Sequence, residues 1–132
     1  MEKWKEIYKG NIPKDNYKVQ VTNSEESGLI IELKGIKYQV TIKFGVVQAI
    51  RILDEGIVQD GVYSNKEIEQ YRENHFENII YKLTDGEFEK TIRKISAGIT
   101  DFLETKHYVI ISQNFNIDVI TDWEPELDVY NI

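Results

Sequence analysis

The sequence predicts an α+β fold: an antiparallel sheet, a meander plus a C-terminal hairpin, packed on one face by one or two helices. Three observations carry this expectation. Between Tyr17 and Leu53, short runs alternate apolar with polar residues and are separated by turn-forming Gly and Asn, the period of half-buried strands. Between Glu87 and Thr105, apolar residues recur at three- and four-residue steps, the period of an amphipathic helix. After His107, two β-rich runs flank the polar stretch 112–116, which reads as a hairpin.

Taken in order, Tyr17, Val19 and Val21 alternate with Lys18 and Gln20 as a strand, and residues 23–28 form a turn. Residues 29–33 are the next strand, Gly35 punctuates, residues 38–42 alternate again, and Gly45 breaks the run. Residues 47–53 continue the pattern up to Asp54, Glu55 and Gly56, completing an antiparallel meander. Asp60-Gly61, between Val58 and Val62, is a hairpin signal that would pair a further strand with 47–53. Ser64 and Glu67 have capping-box spacing, so a helix is expected from about Asn65, with Ile68, Tyr71, His75 and Phe76 on one face.

Residues 77–83 suit helix or strand equally. In the main predicted helix, 87–105, Phe88, Ile92, Ile95, Ile99, Phe102 and Leu103 face the core, with Lys90, Arg93 and Lys94 opposite. Gly98 within it costs about 1 kcal/mol relative to Ala and reads as a point of close packing. Pro125 stops strand pairing after Asp122, leaving 126–132 as an edge strand or a loosely attached tail.

A chain of 132 residues fits one domain, 1–132, with a core of its own. Its 41% hydrophobic content argues against disorder. No apolar run approaches the roughly 20 residues that span a bilayer, and no apolar leader core follows Met1, so a cytoplasmic protein is expected. The absence of cysteine excludes disulfides, thiolate catalysis and cysteine-ligated metals. No phosphate-binding glycine loop and no H-E-x-x-H spacing occurs, and His75 and His107 stand beside no nucleophile motif. The expectation is a non-enzyme without cofactor or metal.

A net charge of −7 disfavours nucleic acid and anionic membranes and favours a basic protein as partner. The charge is uneven. Residues 1–22 hold five Lys against three acids, whereas 107–132 hold no Lys or Arg, with Asp118, Asp122, Glu124, Glu126 and Asp128 around Trp123. Such acids can be a solvated strand face and tail, and their spacing matches no EF-hand loop. Read as a partner-binding surface, they would steer a basic protein onto an aromatic anchor. Asp54 and Glu55 form a second acidic locus on a turn and are secondary contact candidates, although turn chemistry also favours Asp.

The segments IIYKLTDGEFEKTIRKISAG and HYVIISQNFNIDVITDWEPELDV resemble small acidic proteins of Bacillus-type bacteria, some of which are similar to immunity proteins of polymorphic toxin systems. The resemblance covers the C-terminal half. It implies a cytoplasmic antidote that binds a cognate, basic toxin domain and has no chemistry of its own. The competing expectation is a small-molecule-binding or accessory domain with an apolar cleft between helix and sheet, and the third an enzyme of unknown class.

Overall fold

The computed structural model describes residues 2–54, 63, 69, 71, 78–96, 104–112 and 115–132. The described residues form nine antiparallel strands in two sheets and one short helix described throughout: β1 (Lys3–Glu6), β2 (Lys18–Ser24), β3 (Gly28–Lys34), β4 (Tyr38–Gly45), β5 (Ala49–Asp54), β6 (Ile80–Thr84), α1 (Glu87–Ile95), β7 (Lys106–Ile111), β8 (Phe115–Thr121) and β9 (Glu126–Asn131); Glu69 and Tyr71 are helical as well. One sheet has the order β1-β6-β7-β8-β5 and the other β2-β3-β4-β9. The fold is therefore largely β. The expected meander is present as β2-β3-β4 and the expected hairpin as β7-β8, but the continuing strand β5 leaves the meander and pairs with β8.

The second sheet corrects the prediction of one sheet covered by helices. Leu29, Ile31, Leu33, Val40, Ile42 and Phe44 of one sheet share a buried cluster with Ile80, Tyr108, Ile110, Ile117 and Val119 of the other. Phe44 and Tyr108 meet across it with ring centroids 5.6 Å apart. Each such side chain contributes about 1.5–3 kcal/mol on burial, so sheet-on-sheet packing supplies what a long helix was expected to supply.

The five-stranded sheet is also covered on its other face. Trp4, Tyr81, Leu83 and Val109 cluster there with Tyr63, and Tyr71 and Ile111 pack against them. Consequently β8 is buried at every residue from Asn116 to Thr121, and β7 from His107 to Ile110. A strand covered on both faces loses the buried-exposed alternation of a half-buried one.

Helix α1 departs most from expectation. It ends at Ile95 and buries no residue fully; Ile95 is 71% exposed. Ser96 closes it, its N–H donating to Ile92 O and its hydroxyl to Arg93 O. Glu87 and Glu89 in the first turn and Arg93 and Lys94 in the last suit the helix dipole. Residues 77–83, open from sequence, contain the start of β6, and 126–131 form an edge strand. The expected Asp60-Gly61 hairpin, the capping box at 64–67, His75, Phe76 and the helix residues 97–103 lie outside the described residues.

The β3-β4 turn is held by a side chain from a distant loop. Asp15 accepts from the N–H of Lys37 (2.7 Å), Tyr38 (3.0 Å) and its neighbour Asn16 (2.8 Å). Gly35 makes room, since a Cβ there would overlap the Asp15 carboxylate. Partial burial pulls the Asp15 pKa upward, but the backbone donors of Lys37, Ile36, Tyr38 and Asn16 together outweigh it and hold it at about 2. A depressed folded-state pKa stabilises above the unfolded value, near 4, and that contribution is lost as pH falls towards about 2. Asp15→Asn is accordingly expected to be less stable at pH 7, with a urea midpoint that falls less than wild type between about pH 4 and 2. Parallel midpoint-pH curves for the two proteins would contradict this role.

Candidate functional site

The acids singled out from sequence separate into three places. Asp118 lies inside the five-stranded sheet, 0% exposed, so it cannot contact a partner on the surface of this fold. Asp54 ends β5 opposite Phe115, at the far end of β8 from Thr121, about 20 Å away at the rise of a strand. Glu55 lies outside the described residues. Asp122, Trp123 and Glu124 follow β8 directly, and Glu126 and Asp128 alternate along β9. These five stay together.

The connection that carries Trp123 is held from four directions. Thr121 Oγ1 donates to Val46 O (3.0 Å) and accepts from Trp123 N–H (3.1 Å). Lys106 Nζ donates to Asp122 O (3.4 Å), and Gln48 Nε2 to the Asp122 carboxylate (3.4 Å). Tyr8 Oη donates to Pro125 O (2.7 Å). Against this fixed backbone Trp123 stands 59% exposed beside Gly45, with Val46 61% exposed in the neighbouring turn.

The charge of this end is partly balanced. Lys106 Nζ lies 4.0 Å from Glu124, and Lys43 is the cross-strand partner of Glu126. Asp128 faces Thr41. Burial, and then the negative charge of Glu124, pushes the Tyr108 hydroxyl up to about 12, and the same two causes raise Tyr8.

Asp118 organises a second, internal constellation that sequence reading did not find. Its Oδ2 accepts from Arg51 Nε (2.9 Å) and Tyr63 Oη (2.8 Å), and its Oδ1 pairs with His107 Nε2 (2.8 Å). Because a carboxylate only accepts, Nε2 is the protonated nitrogen. Strand register produces the meeting: Arg51 and Val109 are the direct partners of Asp118, and His107, two residues from Val109, is its diagonal neighbour on the same face. Burial first, and then the Asp118 charge, raises the Tyr63 hydroxyl far above the ordinary tyrosine range, so it remains a donor.

Helix α1 places Phe88 over this group, 4.5 Å from the Arg51 guanidinium and 5.9 Å from the His107 ring. Arg51 Nη2 comes within 2.9 Å of Asp118 Oδ2 without the alignment of a hydrogen bond, and among the described residues His107 Nδ1 has no hydrogen-bond partner. Gly86 lies against that nitrogen; a Cβ there would be 2.6 Å from it. A carboxylate-oriented imidazole is the arrangement of a general base. Here the carboxylate already accepts from three donors, and His107 is 1% exposed with its Nδ1 against Gly86. That geometry fits a buried polar tie between β5, β7, β8 and Tyr63.

Among the described residues, no group of three or more His, Asp or Glu could hold a metal ion, and no helix is long and apolar enough to cross a membrane. The internal network was partly legible: Arg51 interrupts an apolar alternation and Asp118 shares parity with Ile120. Tyr63 carried no signal. In comparisons with known proteins the chain matches no family model, no curated protein and no solved structure.

Proposed function

We propose that this chain is a non-catalytic binding protein, a cytoplasmic immunity protein that neutralises a cognate basic toxin domain through the surface formed by Asp122, Trp123, Glu124, Glu126 and Asp128. The observation that carries the reading is Trp123, 59% exposed on a connection tied down by hydrogen bonds to Val46, Tyr8 and Lys106. An aromatic anchor on a fixed backbone loses little freedom on binding. The acids around it, on a chain of net charge −7, favour a basic partner and speed its arrival. Asp118, buried in the sheet, has no part in this surface, and Asp54 stands about 20 Å from it along β8, as a secondary contact.

The test is a pull-down from a lysate of the source organism and its secreted fraction, at low and high salt, with wild type and two variants. Wild type is expected to retain one basic protein that salt releases. Trp123→Ala is expected to weaken the complex by about 2–4 kcal/mol, roughly 30- to 1,000-fold. Asp122→Asn with Glu124→Gln and Glu126→Gln is expected to slow association and flatten its salt dependence. A partner held equally by all three proteins would refute this surface.

A further inference from the structure

Among the described residues, strand β9 is an edge of its sheet and pairs only with β4. Ile132 N–H donates to Lys37 O at 2.8 Å, which fixes the phase of the ladder. In an antiparallel pair, hydrogen-bonded positions alternate, so Tyr130, Asp128 and Glu126 direct their backbone groups to Gln39, Thr41 and Lys43. The N–H and C=O groups of Leu127, Val129 and Asn131 consequently face away from β4, at the open edge.

Natural edges are usually blunted by Lys, by Pro within the strand or by a cover. Strand β9, Glu-Leu-Asp-Val-Tyr-Asn, contains neither Lys nor Pro. Exposed apolar side chains stand at both ends of it. Trp123 and Val46 stand by its start, 59% and 61% exposed, and Tyr130, Ile132 and the turn residue Ile36 by its end, 54%, 74% and 73% exposed. By contrast, the other edge of this sheet, β2, carries Lys18 and no large exposed apolar residue.

Side-chain parity defines what fits. Glu126 and Asp128 point to the outer face with Tyr130, whereas Leu127 packs towards the shared core. We infer that β9 captures an extended segment of a partner protein, alternating Lys or Arg with apolar residues, by strand addition. Its basic side chains lie beside Glu126 and Asp128, and its apolar ones extend the inner face past Leu127 and Val129. A second copy of this chain fits worse, because it would bring the acids of both edges together between molecules that each carry −7. The inference rests on the binding surface proposed above and names its mode of engagement.

The probe is a seven-residue peptide alternating Lys and Val, titrated into the full chain and followed by fluorescence anisotropy and the backbone amide spectrum. The expected result is binding that shifts the amides of Leu127, Val129 and Asn131 and weakens at least tenfold when alternate peptide amides are N-methylated in the pairing phase. Methylation in the opposite phase should be tolerated. Val129→Pro removes an outward N–H and leaves the bonds to β4 in place, and it too should weaken binding at least tenfold. Should that variant fold poorly, the two methylated peptides still decide the matter on the wild-type chain.

No binding, or binding indifferent to the methylation phase, would overturn strand addition. So would a dimer of the chain that Val129→Pro dissolves. The two readings can also fail separately. If Val129→Pro retains the basic protein in the pull-down while Trp123→Ala loses it, the binding surface stands and strand addition falls; if both retain it, the surface falls as well.

Discussion

Asp118→Ala is expected to lower the stability of the fold by about 3–5 kcal/mol, the cost of breaking a buried ion pair by deleting one partner. The substitution leaves the Arg51 guanidinium, the Tyr63 hydroxyl and His107 Nε2–H without the acceptor they share. None of the three can turn fully to water: Tyr63 and His107 are buried, and Arg51 is 28% exposed beneath Phe88. In a chain of this length the loss corresponds to a fall in Tm of roughly 10–20 °C. Asp118→Asn keeps the shape but cannot accept from three donors as a carboxylate does, and it should fall between wild type and Asp118→Ala. Thermal and urea unfolding measure this directly. A loss under 1 kcal/mol for Asp118→Ala would mean that the network is solvated and could serve another purpose.

The same residue marks the limit of what the sequence disclosed. Alternation in Phe115–Thr121 correctly separates Ile117 and Val119 from Asn116 and Asp118, because side chains on successive strand residues point to opposite faces. It does not say what lies over the polar face. Tyr63, which donates to Asp118, and Phe88, set against Arg51 and His107, lie over it from distant parts of the chain, so an aspartate that belongs to a solvent face by parity belongs to the interior by tertiary packing. Strand boundaries in β3 and β4 were legible because Gly28, Gly35 and Gly45 punctuate them. The division into two sheets was not, since pairing of β5 with β8 and of β4 with β9 is set by long-range register.

Helix α1, over its described residues, departs in the opposite direction. Its periodicity is genuine, but Phe88 uses its ring on Arg51 and His107, and Ile95 stays exposed. A helical period identifies one apolar stripe without stating how much of it a core requires. The break in strand pairing at Trp123 was legible for a local reason. Pro125 stops strand pairing after Asp122, so a break between two strands, with Trp123 among acids, was expected there. Its fixation by Val46 and Tyr8 needed the fold.

Gly28→Ala is expected to be the most damaging single-methyl change in the described residues. Gly28 follows the β2-β3 turn with φ +69, a left-handed conformation that costs a residue with a Cβ about 1–2 kcal/mol. Its Cβ would in addition fall within the backbone of Gly45, against the carbonyl carbon and oxygen, where no rotamer can yield. Overpacking of this kind adds about 1–3 kcal/mol, so a total of about 2–5 kcal/mol is expected. Gly10 supplies the control: its φ is +81, yet a Cβ there meets nothing within 4 Å. Gly10→Ala should therefore show only the conformational cost, about 1–2 kcal/mol. The difference between the two urea midpoints isolates the close approach of β3 to Gly45, next to the bulge between Leu29 and Ile30 that lets β3 and β4 stay paired. Because Gly45 also abuts Trp123, Gly28→Ala should disturb the anchor that Gly10→Ala leaves alone. A larger change in Trp123 fluorescence is then expected for Gly28→Ala. Equal losses of stability with equal fluorescence would show that the turn, and not the contact with Gly45, is what glycine is needed for at position 28.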